Sequence, residues 1–263
     1  MTQANIITDI YGKRITNSII MKIIKCVETL SIIEKFYKLA KLKYEETADD
    51  RFLALFNLAR KIRACMNSVI LLPHEEYDVL CVPINLLYRC MITDLMTSLL
   101  ISVVNDDTFG KIMHLMNIDY TKSFLKALNT NVDGRKSAYS KDPLEIEKIK
   151  ANYQKDHYDD FKDCLQSSRL EEWQIKPKPK IIINHTNFSG TIESMYNVLL
   201  SFDETRDVAN IYQYYKLFSQ SEHFSLKNLI FNYKQDFHDN YYNKTRGFIH
   251  LGIELILKKY FNK

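Results

Sequence analysis

One segment limits the fold more than any other. "VLCVPINLLYRCMITDLMTSLLISVV", residues 79–104, carries two charges, Arg89 and Asp94. A span of this length and apolarity either crosses a membrane or lies at the centre of a helical fold. Both charges fall mid-span, where insertion costs roughly 2.5–3.5 kcal/mol each. Asn85, Thr93, Thr97 and Ser98 add further polarity. The reading adopted is a central helix packed on all sides, with Pro83 either kinking it or marking its first turn.

The rest of the chain must then supply helices to cover it. In 263 residues there are 6 Gly and 5 Pro, far below the average usage of about 7% and 5%. Sandwiches and barrels need many turns, so this composition favours an all-α fold. The expected architecture is a multi-helix bundle, one helical domain over 1–263, with 131–188 as an irregular, loop-rich insertion. Net charge is +4, too small an excess to establish nucleic-acid binding without clustering. Five cysteines without a CxxC pair read as reduced thiols of an intracellular protein, neither a disulfide frame nor a zinc site. The opening residues lack the charged-then-apolar order of a signal peptide. The expectation is therefore a cytoplasmic protein with no cofactor and no bound metal.

Apolar spacing predicts helices over 14–45 and 48–71, with Thr47 as N-cap of the second and Pro73 closing it. A fourth, partly broken helix is predicted over 106–130. "NVDGRKSAYSKDP" then reads as a loop, and 142–166 as a charged surface helix with Pro143 at its first position. "KPKPK" cannot be helical, and a short strand at 180–183 has no evident partner. Helices over 189–201, 204–223 and 240–261 complete the chain.

The helix predicted over 204–223 ends in "YYKLFSQSEHFS", which puts polar groups on an apolar stripe. At about 100° per residue, Tyr215, Ser219 and His223 stack in one column, and Glu222 falls in the same arc. A buried carboxylate needs a cation or donors. Arg89, the one cation of the apolar segment, can hold it bidentately. Asp94 competes for Arg89 or for His223. The same set suits a network that merely fixes helix register, and it also suits a pocket.

"LLYRCMITDLMTSLL" and "YYKLFSQSEHFS" together resemble the Arg-bearing central helix and the later Tyr…Ser…His helix of the DUF5677 group, a set of bacterial helical proteins. Arg89, Tyr215, Ser219 and His223 match, over residues 50–130 and 190–260. Asp94 departs, since the group's acid comes sooner after the Arg. The group in turn looks loosely like HEPN-type helical proteins, many of them ribonucleases in toxin and phage-defence systems. The resemblance implies an interaction or sensing module tied to stress or phage defence. Its alternative is a metal-independent ribonuclease: Arg89 and His223 at the phosphate, Glu222 or Asp94 orienting the His, Tyr215 and Ser219 binding. The Arg–His motif is absent in its usual form, because Arg246 and His250 in "RGFIH" stand too close. RNA or a protein is the expected partner, with a homodimer open and no membrane.

Other clusters carry less. His185 lies beside Asn184, Asn187 and Ser189, a loop that can bind a ligand but whose Asn, Thr and Ser side chains are expected to cap the next helix. "HDNYYNKTRGF" (238–248) is expected to be a loop packing its tyrosines rather than stacking bases. "HEEY" lacks a zincin's second His, and there is no Walker loop or GxGxxG.

Overall fold

Thr47 ends the first helix instead of opening the second. Its hydroxyl bonds back to the Lys43 carbonyl, and Ala48 turns the chain with φ 52°. Asp49 is the N-cap, its side chain accepting from the Arg51 N–H. The Asp49 carboxylate, an acceptor only, captures an orphan donor of the second helix, with Asp50 in the first turn, while the Thr47 hydroxyl is spent on the end of the first. The computed structural model describes residues 17–72, 77–138, 148, 151–152, 155–156, 158–166, 175–220 and 235–261. Within them the fold is all-α with one two-stranded sheet. The chain divides into two compact units, residues 1–104 with 191–263, and residues 105–190.

In the first unit, α1 (Asn17–Thr47) and α2 (Asp50–Leu71) pack together and α2 packs on α3 (Tyr77–Val103). The apolar segment is a central helix: from Met91 to Ile101 every residue except Thr93 is buried. By length and hydropathy, Val82–Val103 also meets the criteria for a membrane span, and 67% of that window is buried inside the chain. The Thr and Ser hydroxyls of α3 bond back within the helix. Thr93, Thr97, Ser98 and Ser102 each donate to a carbonyl three or four residues back, which lets a helix bury hydroxyls without outside partners. Pro83 lies inside the helix, beyond its first turn.

Around α3 stand α5 (Ile192–Leu200), α6 (Arg206–Ala209), α7 (Tyr212–Ser219) and α8 (Gln235–Phe261). Of these, α5, α7 and α8 pack directly on it. The single helix expected over 204–223 is interrupted at Asn210–Ile211, giving α6 and α7. Residues 238–248, expected as a loop, lie inside α8. Close approach explains one glycine: a Cβ on Gly252 would stand 3.0 Å from both Leu95 methyls, so α8 seats against α3 where it has no side chain.

In the second unit, α4 (Asp106–Ala138) runs unbroken through the start of "NVDGRKSAYSKDP", including Gly134. Asn105 caps it, accepting from the Thr108 N–H. A lone glycine costs a long helix only about 1 kcal/mol, so turn chemistry in that stretch overstated the break. Lys162–Cys164 form a 3₁₀ turn. The strand β1 (Ile181–Ile183) does have a partner, β2 (Thr186–Phe188), in an antiparallel hairpin. Asn184 and His185 are its two-residue turn, with φ 44° and 63°, the double positive φ of a type I′ turn. They do not cap the following helix. Thr191 does, accepting from the Ser194 N–H.

Candidate functional site

Among the cross-helix polar contacts that α3 makes in the described residues, those of Arg89, Asp94 and Tyr88 each face a different neighbour. Arg89 is half-buried and meets α7. Its Nη2 donates to the Tyr215 hydroxyl at 3.3 Å, and its guanidinium carbon lies 5.2 Å from the Tyr215 ring centroid. Tyr215 continues a stack: its ring is 6.0 Å from Tyr212, which is 4.7 Å from Tyr196 of α5. Lys216 sits 4.9 Å over the Tyr212 ring. A guanidinium against an aromatic face keeps a partly desolvated charge through the ring quadrupole. Ser219, below Tyr215 in the column, donates to the Tyr215 carbonyl at 2.7 Å. It therefore shapes the end of α7.

Asp94 lies roughly 140° around α3 from Arg89 at 3.6 residues per turn, and it faces α2. Its Oδ1 accepts from Lys61 Nζ at 2.6 Å. Its Oδ2 is buried, with no hydrogen-bond partner among the described residues. Burial pushes its carboxyl above the usual range, with the Lys61 ammonium pulling the other way. Burial wins because Lys61 is 62% exposed and its charge is well solvated. Glu222 and His223 lie outside the described residues. The structure thus joins Arg89 to Tyr215 and sets Ser219 beside it, while Asp94 is engaged at Lys61.

The third contact went unread in the sequence. Arg246 of α8 is buried, and its Nη1 donates to the Tyr88 hydroxyl at 2.7 Å and to Cys26 Sγ at 3.4 Å. Its Nη2 donates to Asn243 Oδ1. Tyr88 stacks on Tyr242 with centroids 4.8 Å apart, and the Tyr242 hydroxyl donates to Asn85 Oδ1 at 2.7 Å. Burial pushes the Tyr88 phenol far above its ordinary value and raises the Cys26 thiol, Arg246 offsetting both in part. Tyr88 is therefore a neutral acceptor for Arg246. His250, one turn beyond, points elsewhere: its Nε2 lies 3.3 Å from Glu254 Oε1. The usable signal was periodicity, since Arg246 is the charged member of the stripe Tyr242, Arg246, Ile249, Ile253, Ile256.

Arg51 was also missed. It is buried at the first turn of α2, and its Nη1 donates to the Ile101 and Val104 carbonyls at 2.6 and 2.8 Å and to the Tyr260 hydroxyl at 3.0 Å. Tyr260 in turn donates toward the Ile101 and Ser102 carbonyls. Together they satisfy the C-terminal carbonyls of α3, where a cation also suits the helix dipole.

Among the described residues no three His, Cys, Asp or Glu side chains group as metal ligands. Comparison with known protein families, with curated proteins and with solved structures returns no match.

Proposed function

We propose that the chain is a cytoplasmic interaction or sensing module, of the kind its resemblance to bacterial DUF5677-like proteins implies, and that Arg89 reads an anionic group of its partner. One observation carries this reading: a half-buried guanidinium is braced on the face of Tyr215, at the end of a tyrosine stack that includes Lys216. A cation fixed by ring contacts loses less freedom on engaging a carboxylate or phosphate than a mobile surface lysine does. The partner is RNA or a protein, the chain's own second copy included, rather than a membrane. Stress or phage defence is the setting the resemblance suggests.

The test is equilibrium binding. A labelled single-stranded RNA is titrated with wild type and with Arg89→Ala, and both proteins are sedimented across a concentration range. An Arg89 contact worth 1.5–3 kcal/mol for a charged hydrogen bond predicts a loss of about tenfold or more in RNA affinity or in dimer affinity. No RNA binding and no self-association by wild type, or no difference between the two proteins, defeats the reading.

A second reading is favoured by the same partial exposure. Arg89 is not sealed, so a HEPN-like, metal-independent ribonuclease could use it to stabilise phosphorane charge while His223 performs acid/base chemistry and Glu222 orients it. Metal-free incubation with RNA separates the two. The ribonuclease reading expects cleavage that His223→Ala abolishes. The interaction reading expects intact RNA with both proteins.

A further inference from the structure

We propose that Cys65 of α2 and Cys90 of α3 are a redox pair, closing to a disulfide that clamps the two helices together. The register of the helix pair carries the inference. Arg51 reaches Val104 at one end. Ten residues along α2 and ten back along α3, Lys61 meets Asp94 at 2.6 Å. The two helices therefore run antiparallel, the Arg51 end of α2 lying at the Ile101–Val104 end of α3. One further turn along α2 and one turn back along α3 lead to Cys65 and Cys90. Residues four apart share a helix face, so both cysteines stand on the faces that Lys61 and Asp94 define. Cys65 is half-buried and Cys90 exposed, and both are free thiols. The charge on Cys90 is among the influences that raise Cys65.

The environments divide the labour. Burial, with Cys90 and Asp94 adding to it and Lys61 opposing, pushes the Cys65 thiol up to about 11, so it stays protonated at neutral pH. Exposed Cys90 makes the first attack, because the thiolate is the nucleophile and access decides its rate. With hydrogen peroxide as oxidant, the Cys90 thiolate attacks one peroxide oxygen. The O–O bond breaks, hydroxide leaves and takes up a proton, and Cys90 becomes a sulfenic acid. The Cys65 sulfur then attacks the Cys90 sulfur. The S–O bond breaks, and the departing hydroxide carries off the Cys65 proton as water. Two thiols and one peroxide become one disulfide and two waters, the sulfurs losing two electrons and the peroxide gaining them. Dithiothreitol reverses the change by exchange.

The experiment uses the full chain, treated with hydrogen peroxide and mapped by mass spectrometry under non-reducing conditions. The expected product joins the Cys65 peptide to the Cys90 peptide with loss of two hydrogens, and dithiothreitol restores both thiols. Closing a loop of this size raises Tm by about 5 °C or more. Cys90→Ser abolishes the cross-link and the Tm rise; Cys81→Ser leaves both intact. Circular dichroism confirms that each variant is folded before oxidation. Three results overturn the proposal: Cys90 driven to sulfinic or sulfonic acid with Cys65 still a thiol, Cys90 joined to Cys81, or Cys90 joined to another copy of the chain.

Discussion

Arg51 and Arg89 both touch α3, and they do so in opposite ways. Arg51 comes from a neighbouring helix, is buried, and has one nitrogen bonded to two carbonyls and a phenol at the helix end. Arg89 grows from α3 itself, is half-exposed, and has a 3.3 Å contact to a phenol and a ring face beneath it. The first closes a helix terminus that would otherwise bury orphan carbonyls. The second holds a cation at the margin of the fold. A charge that completes backbone hydrogen bonding contributes to stability, whereas one laid on an aromatic face at the surface contributes little there and suits recognition. The proposal that Arg89 meets a partner while Arg51 holds the fold rests on this difference in what each donates to.

The sharpest way to break this comparison is Arg51→Met, which keeps an apolar stem but removes the donors. Two buried carbonyls and a phenol lose a charged partner, and each unsatisfied buried group costs about 1–3 kcal/mol. The expected destabilisation is about 3 kcal/mol by urea unfolding, with the last turn of α3 showing the largest gain in hydrogen exchange. A loss below about 1 kcal/mol would mean that Tyr260 alone, or water, satisfies those carbonyls.

Asp94 sharpens the comparison from the acidic side, because it is buried like Arg51 but half-satisfied. Its folded-state pKa is raised, so the folded protein binds more protons than the unfolded chain between the unfolded value, about 3.9, and the folded one. The stability this group contributes is full below about pH 4 and is lost as pH rises through the folded value. Wild type should therefore gain stability relative to Asp94→Asn as the pH falls from 7 toward 4. Parallel pH profiles for the two proteins would show that the Lys61 contact cancels the cost of burial.

Much of the fold was legible because it follows from period and composition. The apolar span of α3 needed covering, glycine and proline were scarce, and the helices of the first unit follow their apolar spacing. That Arg89 would face the helix carrying Tyr215 was legible for the same reason, but the partner expected for it was Glu222, which lies outside the described residues, and the contact described is with Tyr215. What failed was local or long-range. Asn184 looked like a capping residue, because side-chain chemistry alone does not reveal a strand pair that forces it and His185 into positive φ. The break at Asn210–Ile211 lies in a stretch with no Pro or Gly to mark it. Arg246 fell in a stretch expected to be a loop and Arg51 drew no reading, since nothing in the sequence says which helix end or which phenol lies opposite.

The smallest expected effect is the most telling. Toward the described residues, Arg89→Ala removes a long hydrogen bond to the Tyr215 phenol and a contact with its ring. A half-exposed cation–π pair is worth about 0.5–1 kcal/mol. The expected loss of stability by urea unfolding is therefore about 0.5–1 kcal/mol, well under that of Arg51→Met, with an unchanged m-value. Tyr215→Leu, which keeps an apolar side chain under the guanidinium, should cost a similar amount, and the double variant should cost less than the two singles added. If Arg89→Ala instead matches Arg51→Met, the guanidinium is a structural element of the α3–α7 contact. The case for reserving it for a partner would then fall with it.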